Sequence, residues 1–137
     1  MLKVVLDTNT IISAFFWKGN EHDLFKKIEE KKIELYLSKE ILDEIDEVLD
    51  RPKFKEVIEN ARLTKDQILN KIISISRLVF GPKLKINACR DPKDNKFLEC
   101  GVIGKVDYIV SGDKDLLSIK EYKNIRIITS KDFLKIV

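Results

Sequence analysis

Histidine and cysteine are scarce in this 137-residue chain: one histidine, His22, and two cysteines, Cys89 and Cys100, outside any C-x-x-C spacing. Zinc and copper centres lean on imidazole and thiolate, so this inventory excludes them. It equally excludes serine–histidine and cysteine–histidine catalysis, because His22 stands alone in a helix rich in lysine and acids, where solvated surface is its expected fate. The two cysteines read as free thiols of a reducing cytoplasm, the expected location. No apolar run approaches the roughly 18–20 residues of a membrane span, and the stretch before Asp7 is too short for a signal peptide. A Walker glycine loop and a G-x-G-x-x-G turn are both missing, which leaves nucleotide cofactors without support.

What is present describes a soluble globule. Apolar residues make up 44% and charged residues 36% of the chain, far from the composition of disorder. A chain this long buries about two-thirds of its unfolded surface and needs no metal or disulfide staple. With no linker, repeat or low-complexity tract, one domain over residues 1–137 is expected. Lysine and arginine number 26 against 23 acids, a net +3. That balance permits nucleic-acid binding without requiring it.

Segments of helical and strand character alternate. Leu2–Leu6 is a short apolar run ended by Asp7-Thr8-Asn9-Thr10, after which Ile11 to Phe16 forms a brief buried helix that breaks near Gly19-Asn20. A helix over Glu21 to Lys31 and a strand over Ile33 to Leu37 follow. Ser38 caps a helix that Arg51-Pro52 stops, and Lys53–Asn60 and Thr64 to about Arg77 form two more. Thr64 and Gln67 have the spacing of a capping box. Strands are expected at Leu84–Ile86, Tyr108–Ser111 and Ile125–Thr129, with a helix from Asp91-Pro92 to about Ile103 and a last one capped by Ser130. Helices alternating with short apolar strands predict an α/β fold whose central parallel sheet is covered on both faces.

The acids fall where such a fold does its chemistry. Asp7 and Asp113 each follow a strand directly, and open α/β sheets bind ligands beyond the carboxyl ends of strands where the strand order reverses. Each could equally cap the helix that follows. The helix after Ser38 carries six acids, of which Glu44 and Asp46 border the apolar stripe of Ile41, Leu42, Ile45, Val48 and Leu49. Periodicity narrows a cleft-facing carboxylate to these two and does not choose. Asp91 precedes a proline as an N-cap would, whereas Asp94 shares one helix face with Leu98 and Gly101 and so points inward at the helix mouth. Crowded carboxylates stay ionised only with cations among them, and an all-oxygen set suits Mg²⁺ or Mn²⁺.

Four segments carry a resemblance. Val4-Val5-Leu6-Asp7-Thr8-Asn9 is the first, and Leu37-Ser38-Lys39-Glu40-Ile41-Leu42-Asp43-Glu44 the second. Asp91-Pro92-Lys93-Asp94-Asn95-Lys96-Phe97-Leu98 and Tyr108-Ile109-Val110-Ser111-Gly112-Asp113-Lys114-Asp115-Leu116-Leu117 complete the set. In this order, over nearly the whole chain, they resemble PIN-domain ribonucleases, and among these the VapC-like toxins of prokaryotic toxin–antitoxin systems. The resemblance implies about five parallel strands in the order 3-2-1-4-5 and a Mg²⁺- or Mn²⁺-dependent endoribonuclease. It implies Asp7, Glu44, Asp94 and Asp113 as catalytic and metal-holding acids, choosing Glu44 over Asp46, with Asp115 as an assisting ligand. Asn9, Ser111 and Asp91 would support the site. The glycine between Ser111 and Asp113 is a departure that the pattern tolerates. Implied partners are RNA, a cognate antitoxin and a second copy in a homodimer, for which the helices over Lys53 to Arg77 offer apolar faces.

Trp17 and Lys18 are candidates for RNA contact, while core packing is the expected role of Phe15 and Phe16. Two alternatives stand beside the nuclease. A haloacid-dehalogenase-type phosphatase also begins with an aspartate after strand one, but wants a second aspartate where Asn9 stands. A catalytically inactive PIN module binding RNA or protein would be expected to have lost one of the four acids, and none is lost.

Overall fold

The computed structural model describes residues 1–137. Strand β1 (Leu2–Leu6) leads into helix α1 (Thr8–Phe16), then α2 (Asn20–Glu29), β2 (Ile33–Leu37) and α3 (Lys39–Leu49). Helices α4 (Pro52–Asn60) and α5 (Lys65–Ser74) precede β3 (Ser76–Leu78). A 3₁₀ turn at Pro92–Asp94 opens α6 (Asn95–Gly104), followed by β4 (Tyr108–Val110) and α7 (Lys114–Ile119). The chain ends with β5 (Glu121–Tyr122), β6 (Ile125–Ile128) and α8 (Ser130–Leu134). No helix is long and apolar enough to cross a membrane.

The six strands form one sheet in the order β3-β2-β1-β4-β6-β5. The first five of that row pair in parallel and keep the expected 3-2-1-4-5 sequence; β5 pairs antiparallel with β6 at the edge. Val4, Val5 and Leu6 are all buried in succession, so helices cover both faces of β1. The order reverses between β1 and β4. Successive strands step one way from β1 through β2 to β3, and the other way from β4 to β6.

Local chemistry explains the element boundaries. Ser38 accepts from the Ile41 amide to start α3, and Thr64 and Gln67 complete the capping box at α5. Helix α6 packs on β1, β2 and β4. Gly101 allows that approach: a Cβ there would lie 3.2 Å from Val106, 3.3 Å from Ile125 and 3.4 Å from Ile109. The apolar faces of α4 and α5 are used within the chain, where Phe54, Ile58, Ile68 and Ile72 join the core. Both cysteines are buried and free.

The third strand differs from expectation. Residues 84–86 form no strand; Ser76–Leu78 does, in parallel register with Leu35–Leu37. Ile68, Ile72 and Ile75 keep a helical spacing up to this boundary, which hides the strand in what reads as the end of α5. With β3 beside β2, the stretch from Val79 to Arg90 has no regular element, and Leu84 instead donates its amide to the Glu99 carboxylate. The β5–β6 hairpin was not expected either. Lys123 and Asn124 turn it with φ of 47° and 68°, a left-handed pair that matches the twist of the two strands. The last helix is capped by Thr129, one residue before the expected Ser130.

Gly101→Val should lower the free energy of unfolding by about 1–3 kcal/mol, the usual cost of overpacking a filled contact. Urea denaturation should show an earlier midpoint at unchanged slope. An unchanged midpoint would mean that α6 lifts off the sheet at no cost.

Candidate active site

The reversal between β1 and β4 opens into a cleft of about 900 Å³, lined by 18 residues of which only 2 are hydrophobic. Asp7, Glu44, Asp94, Asp113 and Asp115 all line it, as do Asn9 and Asp91. The cleft lies at the carboxyl ends of parallel strands, where open α/β sheets bind ligands.

Asp7 has both of the roles that its position allows. Its Oδ1 accepts from the Thr10 amide at 2.8 Å, capping α1, while Oδ2 accepts from the Ser111 hydroxyl. Burial leaves it 5% exposed and pushes its pKa up, with the hydrogen bonds from Ser111 and Thr10 pulling the other way. Ser111 is itself buried, and its Oγ accepts from the Asp113 amide at 2.9 Å. One hydroxyl thus joins the residue after β1 to the residues after β4.

Asp113 occupies the N-cap position of α7 yet makes no side-chain capping bond. Its carboxylate lies against Asp94 instead. Asp94 is half-buried, and its pKa is pushed up to about 7, first by burial, then by hydrogen bonding to Asp113 and that group's charge, with Asp91 and Glu44 adding. Asp91 accepts from the Lys93 amide at 3.0 Å, the capping role that its sequence context predicts, and stays exposed at the rim.

The structure separates the two border acids of α3. Asp46 turns to Lys65 on α5, 2.7 Å away, while Glu44 turns into the cleft. There the Thr8 hydroxyl donates to Oε1 of Glu44 and the Lys96 ammonium to Oε2. Asn9 is exposed on the wall, and Asp115 is half-buried beside the start of α7. Trp17 and Lys18 are exposed but do not line the cleft; Trp17 packs edge-on against Phe16 and Phe54. Phe15 and Phe16 pack against the core as expected. His22 is exposed, outside the cleft.

Sequence reasoning missed the cations. Arg51, Lys93 and Lys114 line the cleft, and Lys96 reaches Glu44. A signal existed, since a semi-buried acid needs a partner and Lys93 and Lys96 flank Asp94.

All the donors are oxygens, which suits a hard divalent ion such as Mg²⁺ or Mn²⁺. Burial first, and neighbouring carboxylates second, raise the proton affinity of Asp7 and Asp94, and neither acid is in an ion pair. The acids share one cleft, but no three of them close around a common point as a finished ligand shell. Glu44 is held by Lys96 and Thr8, and Asp7 by Ser111 and Thr10.

The profile of the PIN domain matches residues 3–115, the span from β1 through Asp113 and Asp115. The chain belongs to the PIN-domain family. It is also 34% identical, over 144 aligned residues, to the uncharacterized protein MJ1680 of Methanocaldococcus jannaschii, with 98% of this chain and 90% of that one covered. PIN domains are generally nucleases and bind RNA, which sets the phosphatase alternative aside.

The crowding in this PIN domain has a pH signature. A carboxyl that binds its proton more tightly when folded makes the protein more stable below its folded pKa. In chelator, stability should therefore fall as pH rises from about 4 to about 7, then level off as Asp94 becomes ionised beside Asp113, Asp91 and Glu44. The expected loss is a few degrees of melting temperature, kept small by the solvent that reaches half-buried Asp94. Asp94→Asn should flatten the slope. A slope unchanged by that substitution would show that Asp94 does not carry it.

Proposed function

We propose that this PIN domain is a Mg²⁺- or Mn²⁺-dependent endoribonuclease that hydrolyses RNA phosphodiester bonds. The observation that carries the reading is the set of Asp7, Asp94 and Asp113 in one cleft at the carboxyl ends of β1 and β4. Asp7 and Asp113 are joined through Ser111, Asp94 lies against Asp113, and none of the three is in an ion pair. Asp7, Asp94 and Asp113 would hold a divalent ion, with Asp115 beside them. When bound, that ion supplies Lewis-acid activation of water and neutralises charge on the phosphate.

The chain's own residues do the rest. Ser111 and Thr10 fix the Asp7 carboxylate so that it presents one orientation to the cleft. Glu44 takes a proton from, or orients, the attacking water; attack on phosphorus with cleavage of the P–O3′ bond leaves a 5′-phosphate and a 3′-oxygen that is protonated by water. Arg51, Lys93 and Lys114 attract the RNA backbone without reading its sequence. Trp17 and Lys18 lie one helical turn beyond Ser13 of the cleft wall, in reach of a longer RNA for stacking. The resemblance of the four motif segments to VapC-like proteins supports a toxin role, with an antitoxin and a second copy as partners in the cytoplasm.

The test is to incubate purified protein with a mixed RNA pool and Mn²⁺ or Mg²⁺, with a chelator control, and to sequence the cleaved ends. New 5′-phosphate ends should depend on the ion. Asp7→Asn should abolish cleavage while RNA binding persists, because it removes a charge and no packing. Glu44→Gln should cost about a hundredfold or more in rate. Asp46→Asn should stay within about twofold, as an exposed ion pair contributes little. Full activity of Asp7→Asn at verified metal content would refute the site.

A further inference from the structure

Glu44 and Lys96 lie on different helices, 52 residues apart, and meet in the cleft. Theirs is the only ion pair of the chain in which both side chains are at least three-quarters buried, Lys96 18% and Glu44 25% exposed. The buried Thr8 hydroxyl takes the other carboxylate oxygen. Asp7, Asp94 and Asp113 form no ion pair at all. The site's internal positive charge is therefore distributed unevenly: one acid has its own cation, and the other three have none.

An ammonium group is a compact point charge with three donors. At Glu44 its single charge balances the carboxylate that a second divalent ion would otherwise have to neutralise, and it needs no loading from solution. We infer that Lys96 is the resident cation of this site, a positioning residue that neutralises Glu44 and, with Thr8, fixes its carboxylate in the cleft, so that one divalent ion on Asp7, Asp94 and Asp113 completes the centre. This rests on the divalent-ion reading proposed above and adds to it the count of ions and the role of a lysine.

The consequence runs against intuition. Removing Lys96 should free Glu44 to ligate an ion, so metal binding should tighten while cleavage slows. A lysine that only held the fold together would, when lost, loosen both. The experiment is Mn²⁺ titration of the full chain by calorimetry, with RNA cleavage measured on the same preparations. The wild type should bind one Mn²⁺. Lys96→Met should bind Mn²⁺ about tenfold more tightly or take up a second ion, and should cleave at least tenfold more slowly. Lys96→Arg should restore the wild-type isotherm.

The double variant Lys96→Met with Glu44→Gln should lose the gain in affinity, which ties it to the freed carboxylate. Should Lys96→Met fail to fold, Lys96→Gln serves the same comparison with a similar length and no charge. Two ions in the wild type, or unchanged or weaker Mn²⁺ binding in the folded uncharged variant, would overturn the inference and leave the nuclease reading standing. A wild type that binds no Mn²⁺ would defeat both.

Discussion

The hydrogen bond from Ser111 to Asp7 joins the end of β1 to the end of β4 at the place where the strand order reverses. Asp7 is buried there, and a buried carboxylate is costly unless its oxygens are satisfied. Ser111 and the Thr10 amide satisfy them. A hydrogen bond to a charged group contributes about 1.5–3 kcal/mol, and the loss of either would leave the carboxylate short of a partner. The rest of the cleft is built outward from this contact: Ser111 also receives the Asp113 amide, and Asp113 then faces Asp94 across the mouth of α6.

Several side chains there act on both structure and chemistry. Asp7 caps α1 with one oxygen and accepts the Ser111 hydroxyl with the other, while lining the cleft. Asp113 has the position of a cap but leaves its side chain free, whereas Asp91 spends its side chain on capping. The difference lies in geometry that strands and turns impose, since all three acids begin a helix or turn. Positive charge is placed with similar economy. Arg51, Lys93 and Lys114 stand on the cleft wall, Lys96 meets Glu44, and Asp7, Asp94 and Asp113 form no ion pair.

Much of this was legible in the sequence. The apolar stripe of α3 left Glu44 and Asp46 as its border acids, and the structure sends one into the cleft and the other to Lys65. Leu98 and Gly101 marked the inward face of α6, where the packing of Gly101 admits no larger side chain without a shift. The short strand β3 was not legible, because Ile68, Ile72 and Ile75 carry helical spacing straight into it and only pairing with β2 makes Ser76–Leu78 a strand. The contact between Lys96 and Glu44 had no periodic signature, since it joins positions on two helices that only the folded sheet brings together. Trp17 read as a candidate for RNA contact from its place near Gly19-Asn20, and the structure leaves it exposed, edge-on against Phe16 and Phe54.

These carboxylates, crowded and without ion-pair partners at Asp7, Asp94 and Asp113, are proposed to form a divalent-ion site. The most direct measurement is the melting temperature of the chelator-treated protein before and after millimolar Mn²⁺, in the wild type and in Asp94→Asn. An ion that binds only the folded state stabilises it by mass action, so the wild type should gain several degrees. Asp94→Asn should melt higher than the wild type before the ion is added and gain almost nothing after. A melting curve that Mn²⁺ leaves unchanged, in a protein that still cleaves RNA, would contradict the account.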